Sequence, residues 1–397
     1  VIDVDANVIS VAGLETVVAD DATIELSGLG SVSVITPNSA DNVILETVVA
    51  AVSGQQGLRV SGTSGAVTFD AVSLVDVPSV TIDLATEDEA GSSADAFTLA
   101  AGASLSAYAS LANVAVSTGA GADTVNILAN DLRTISGGTN VLSLDAGSGT
   151  DQLSVTTNEA LVVLTDSQVS LGTDPAAAAN LGSVGLVNFA GEVASLTGGA
   201  GDTTFDLSDW QNGSSAQATI DGGTGSDTLV GPNRASAATV VNWDIDGANT
   251  GTVATFEFSN IDNLTGGNAS DRFLFMDGAT VSGQIDGGAG TVNTLDLAQY
   301  TTVTNITLTA VSTSSGFDGT NDAPTPAVSG FANISGINAG TAGGELGGQV
   351  LNGGGVAQAG TFNLQSLNST FAVGAVSLTF NGFTDLTGGA AGDIFNV

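Results

Sequence analysis

The sequence predicts an all-β chain: a parallel β-helix, or β-solenoid, with rungs of about 22–28 residues and Gly/Asp-rich corners. Three observations predict it. First, one phrase recurs. An apolar residue is followed seven positions later by an acidic or small residue and, two positions beyond that, by another hydrophobe, usually with glycines between the first two. Ile220-Asp221-Gly222-Gly223-Thr224-Gly225-Ser226-Asp227-Thr228-Leu229 is its fullest form. Second, blocks beginning at Gly91, Gly119 and Gly147 align without gaps at a period of 28. They bring Asp95, Asp123 and Asp151 into one column, Phe97, Val125 and Leu153 into a second, and Leu99, Ile127 and Val155 into a third. Third, the flanking segments alternate apolar and polar residues at period two, the signature of a half-buried strand.

The elements follow in order. Val32-Ser33-Val34, Val80-Thr81-Ile82, Val114-Ala115-Val116 and Thr304-Asn305-Ile306-Thr307-Leu308 are predicted strands, punctuated by Gly, Asn, Asp and Ser clusters. A single rung leaves its backbone edge unpaired, and the next rung covers it at a spacing of ~4.8 Å. Upstream of the three aligned blocks the phrase continues at Val34 to Asp41 and Val60 to Val67. Downstream, Leu171 to Ala178 and Leu196 to Thr203 keep the spacing without the acid. Ile220 to Asp227 and Leu264 to Asp271 restore it, Ile285-Asp286-Gly287-Gly288 has Asn293 one residue late, and Leu386 to Asp393 closes the series. Asp174 to Leu181, with Pro175 before four alanines, is the one predicted helical turn. Phe97, Phe205, Phe273 and Phe395 hold the inward position of their copies and are expected in the core.

Residues 1–300 are expected to form rungs. Residues 301–397 are expected to continue them irregularly, with long insertions at 312–360 and a final repeat copy at 386–397. The alternative architecture is a set of tandem β-sandwich domains.

Composition narrows function. The chain of 397 residues is 42% hydrophobic, enough to bury a core, yet only 11% charged, so Ser, Thr, Asn and Gly supply most of its polar surface. Its net charge of −37 comes from 41 acidic residues against four arginines and no lysine. That balance excludes nucleic acid as a partner, because phosphates need cations, and it attracts divalent cations. With neither Cys nor His, the chain has no disulfide, no thiol nucleophile and no imidazole base. No apolar run is long enough for a transmembrane helix. The chain starts at Val1 and stops inside a repeat copy, at Asp393-Ile394-Phe395-Asn396-Val397, which predicts a piece of a longer protein.

Gly222-Gly223-Thr224-Gly225-Ser226-Asp227-Thr228-Leu229-Val230 matches the whole nonapeptide G-G-x-G-x-D-x-U-x. On this motif the chain resembles the repeats-in-toxin family of haemolysin-type calcium-binding repeats. The resemblance implies that glycine carbonyls and the Asp carboxylate form an oxygen cage for Ca²⁺, with Asp227 as the ligand. It carries more weakly to Asp123, Asp151, Asp271 and Asp393, whose copies lack one glycine each, and to Asp95, which shares their register. It departs in one respect: the family's copies are tandem, whereas these lie 22 or more residues apart, so an ion would have to sit between stacked rungs. The competing reading makes Gly-x-Asp corner chemistry, in which Asp accepts backbone N–H bonds and Gly supplies positive φ.

Asp202, Asp206 and Asp209 near Trp210, and Trp243-Asp244-Ile245-Asp246, could be read as paired carboxylates beside a sugar platform, the equipment of a carbohydrate-active enzyme. The favoured expectation is non-enzymatic: a structural, extracellular segment of a large bacterial surface protein, of surface-layer, fibre or adhesin type; the alternatives are that carbohydrate-active β-helix enzyme and a ligand-binding adhesin module whose binding surface is formed by the 312–360 insertions. The structural segment would self-associate, possess a possible polysaccharide partner, and be stabilised by Ca²⁺. The family resemblance implies type I secretion.

Overall fold

The computed structural model describes residues 2–4, 7–12, 16–20, 23–37, 40–65, 67–87, 94–101, 103–105, 108, 110–128, 132, 142–172, 182–187, 193–211, 218–236, 239–322, 327–340, 349–389 and 391–397. The chain is all-β, with no helix among the described residues. The helical turn expected at 174–181 lies outside them. Two compact units form, Val1–Thr203 with Ser214–Ala218, and Thr204–Gly213 with Thr219–Val397.

In the first unit the chain alternates between two ladders of parallel strands. One ladder stacks Ser31–Pro37, Ser79–Glu87, Asn113–Ser117, Leu142–Asp145 and Gly182–Val187. Its register places Val32 beside Val80, Val80 beside Val114, and Val114 beside Leu142. The other stacks Asp41–Val49, Ala96–Leu99, Thr124–Ile127, Gln152–Thr156 and Val193–Thr197. Phe97 pairs with Val125 and Val125 with Leu153, while Leu99 pairs with Ile127 and Ile127 with Val155. These are the two apolar columns of the 28-residue alignment, and all six side chains are buried. Short parallel strands at Ala120–Gly121 and Ser148–Gly149 join the ladders' corners. There successive segments approach so closely that a Cβ on Gly147, at φ +78°, would collide with the carbonyl oxygen of Gly119. The glycine is demanded by backbone contact between these neighbouring strands.

Antiparallel hairpins are inserted into these ladders. Gln56–Ser64 pairs antiparallel with both Asp41–Val49 and Val67–Val75. Leu161–Thr165 and Gln168–Gly172 form another hairpin. Two copies of the repeat phrase are therefore hairpin strands: Val60 lies opposite Leu45 and Val72, and Leu171 opposite Val162. Both carry the same apolar alternation as a rung strand, because either kind of strand buries one face.

The second unit follows the same plan. One ladder aligns Phe205, Leu229, Leu264, Ile285 and Phe331 in successive parallel pairs. The other aligns Trp243, Phe273, Leu295, Ile337 and Phe380. All ten are buried. Trp243 stacks on Phe273 at 5.3 Å. Phe395 is 46% exposed yet stacks on Phe362, with ring centroids 4.6 Å apart. The stretch 312–360, expected as loop insertions, contains Phe317–Asn321 and Val328–Ile334, which pair antiparallel, and Val350–Asn352, which pairs parallel with Asn305–Val311.

Candidate functional site: the acidic corners

The described corners place a side-chain acceptor just before a strand, buried in the first unit and buried or half-buried in the second. In the first unit Asp41, Asp95, Asp123 and Asp151 form one column, each 1–2% exposed. The backbone N–H of Asp41 donates to Oδ1 of Asp95 at 2.8 Å, that of Asp95 to Oδ1 of Asp123 at 2.8 Å, and that of Asp123 to Oδ1 of Asp151 at 3.0 Å. The main chain adds a parallel set: Thr124 N–H donates to the carbonyl of Asp95, and Gln152 N–H to that of Asp123, each at 2.8 Å. The strand ladder cannot satisfy an N–H at a corner where the backbone is turning. The carboxylate at the next corner of the ladder does.

The second unit repeats this with other residue types. Asp227 N–H donates to Oδ2 of Asp262 at 3.0 Å. Asp271 N–H donates to Oδ1 of Asn293 at 3.1 Å, and Asn293 N–H to Oγ of Ser335 at 3.1 Å. Thr304 N–H donates to Oε1 of Gln349 at 2.6 Å, and Gly360 N–H to Oδ1 of Asp393 at 2.6 Å. A carboxylate, a carboxamide and a hydroxyl all perform the task. What they share is an acceptor oxygen.

The glycines of the phrase have a steric role beside these acids. A Cβ on Gly222 would lie 2.7 Å from Oδ2 of Asp227, and one on Gly266 would lie 2.6 Å from Oδ2 of Asp271. Gly388 has the same relation to Asp393. Each acid folds back beneath its own turn, and only glycine leaves room. The Gly-to-Asp spacing thus belongs to one local packing unit.

The carboxyl of Asp271 is perturbed by its surroundings. Burial raises its pKa from 3.8 to about 6, opposed by hydrogen bonds from Trp243 and from the Gly267 backbone and by the charge of Arg234. Its Oδ1 accepts Trp243 Nε1–H at 2.9 Å. Trp243 is fully buried and Trp210 nearly so, so neither offers an exposed platform beside Asp244, Asp246, Asp206 or Asp209. Instead Asp206 caps Ser208 N–H at 2.8 Å, and Asp246 accepts from the Thr250 hydroxyl at 2.9 Å.

All six acids singled out in the sequence therefore stand at corners, and Asp95, Asp123 and Asp151 come together in one column. Asp227, Asp271 and Asp393 occupy separate corners of the second unit. Among the described residues, no group of three or more His, Cys, Asp or Glu could hold one metal ion. Oδ1 of Asp95, Asp123, Asp151 and Asp393 each accepts a backbone N–H from another corner, and Oδ1 of Asp271 accepts the Trp243 indole N–H. Sequence reading did not select Asp41, Asp262, Asn293, Ser335 or Gln349 as site residues. The seven-residue interval ending at Asp41, and the near-interval ending at Asn293, were the available signals.

No protein-family model matches this sequence, and a search of curated proteins finds no match. Among the described residues, no helix is long and apolar enough to cross a membrane.

Proposed function

We propose that the chain is a non-enzymatic structural segment of a secreted bacterial cell-surface or matrix protein, a β-solenoid stalk or layer element whose buried corner side chains latch each rung to the next. The supporting observation is the unbroken relay of backbone N–H to side-chain oxygen along Asp41, Asp95, Asp123 and Asp151. In a solenoid each rung is stabilised chiefly by its neighbours, so a device repeated at each corner acts along the whole stack. The exchange of Asp for Asn293, Ser335 and Gln349 supports a role as acceptor over a role as charged ligand. On this reading rungs add by backbone pairing, and self-association uses the same chemistry.

Calcium binding at these corners, which the repeats-in-toxin resemblance implies, is the reading to test against it. Thermal melting of the chelator-treated protein, with and without added Ca²⁺, separates the two. The latch reading expects the same melting temperature in EDTA as in dilute Ca²⁺ at matched ionic strength. A saturable rise with Ca²⁺ that is absent in the Asp123→Asn or Asp227→Asn variant would return the corners to the calcium reading.

A further inference from the structure

We propose that Arg234 and the recess beside it bind a hydroxylated monocarboxylate, the chemistry of a sugar acid. The argument begins with charge. Arg59 pairs with Glu46 and Arg272 with Asp296, the ion pairs among the described residues. Arg234 has none, in a chain whose net charge is −37. Its guanidinium is nonetheless held in place. Nη1 donates to the carbonyl oxygens of Trp210 at 3.0 Å and Asn233 at 3.3 Å, and the Arg234 backbone N–H donates to Oδ1 of Asn268 at 2.8 Å. Asn268 N–H returns a bond to Oδ1 of Asn233 at 2.8 Å, which fixes the turn that carries the arginine. Nε and Nη2 make no hydrogen bond to the described residues. A guanidinium anchored through one nitrogen, with donors to spare, is pre-organised for a planar anion.

Arg234 lines a recess of about 340 Å³ together with Asn242, Asp244 and Thr252. Val240, an exposed residue, also lines a neighbouring recess of about 460 Å³ together with Ser270, Asp271, Arg272, Thr291, Val292 and Thr294. The two together offer one guanidinium free of an ion pair, that of Arg234, a second already paired with Asp296, several hydroxyls, the Asn242 amide, and two exposed valines that suit the C–H face of a sugar ring. Asp244 in the wall and the overall negative field disfavour a dianion such as phosphate, so a single carboxylate fits best.

The test uses the intact chain at about 0.15 M salt, where the protein's field is screened within ~8 Å. Titration calorimetry or saturation-transfer NMR compares glucuronate with the neutral isostere glucuronamide and with inorganic phosphate. Glucuronate is expected to bind, with glucuronamide and phosphate each at least about tenfold weaker, the scale of a charge-assisted hydrogen bond. Arg234→Gln should impose the same loss on glucuronate. Asn242→Asp, at an exposed strand position, should also abolish binding by giving Arg234 an internal carboxylate partner. It decides the matter if Arg234→Gln fails to fold by circular dichroism. Equal binding of acid and amide, phosphate binding as tight as the acid, retained binding in Asn242→Asp, or no binding of glucuronate to the native chain would each overturn the assignment.

Discussion

At the residue scale, the corner acids accept backbone N–H bonds, and substitution at Asp123 separates the proposed acceptor role from a role for the charge. Asp123→Asn keeps an oxygen for the N–H of Asp95, now 2.8 Å away, and removes one charge from a buried column. Its expected cost is near zero, or a small gain, because stacked carboxylates repel. Asp123→Ala leaves that N–H buried without an acceptor, at a cost of ~1–3 kcal/mol. Urea unfolding of both variants measures the difference, and equal destabilisation by Asn and Ala would contradict the acceptor role. Asp271 gives a pH signature of its own. With a folded pKa of about 6 against 3.8 unfolded, the folded state holds more protons between those values. Its contribution to stability is therefore full below about pH 4 and is lost as pH rises through about 6, by up to ~3 kcal/mol. The stability difference between native protein and Asp271→Asn should fall by that order from pH 4 to pH 7. The indole of Trp243, bonded to the same carboxyl, should report the titration by fluorescence. A pH-independent difference would remove the perturbed group from the account.

At the element scale, the parts legible in the sequence were those where one parallel strand copies the next at a fixed 28-residue offset without insertion. Phe97, Val125 and Leu153 could be aligned because 28 residues separate each from the next, and the structure pairs them in that register. Val60 and Leu171 misled because period-two alternation reports a buried face and is silent on strand direction. Antiparallel hairpins therefore look like additional rungs. The stretch 312–360 hid its strands for another reason: its Gly, Thr and Ala residues weaken the apolar contrast, although Phe317, Phe331 and Leu351 are fully or almost fully buried. The acceptor positions were legible only where Asp filled them. Gln349 serves Thr304 from 45 residues away, and Ser335 serves Asn293 from 42. No local motif encodes such a pairing, because the constraint is a backbone N–H in a different rung. The glycines of the nonapeptide are demanded by packing: a Cβ on Gly222 would meet the Asn260 carbonyl oxygen and the Asp227 carboxylate, and one on Gly266 the Asp271 carboxylate and the Gly287 carbonyl oxygen.

At the scale of the whole molecule, the unsolved term is charge. Forty-one acidic residues face four arginines, and the described acids are served mainly by neutral donors. Asp262 accepts from Asn249 at 2.9 Å and from Ser282, Asp286 from Asn333 at 2.7 Å, and Asp221 from Asn260 at 2.8 Å. Such bonds satisfy the oxygens locally and leave the net charge, and hence the self-repulsion of the compact state, undiminished. Added salt should therefore stabilise the fold. Between about 0.01 M and 1 M the screening length falls from ~30 Å to ~3 Å, so the melting temperature should climb steadily with NaCl across that range. Mutual repulsion between chains should weaken in parallel, so light scattering should show association favoured over the same range. Because screening depends on ionic strength and not on the identity of the ion, NaCl and KCl should give superimposable curves. A melting temperature that is flat or falls with salt would mean that the acids are already neutralised, by bound cations or by protons, and that the net charge of −37 overstates the field the fold must withstand.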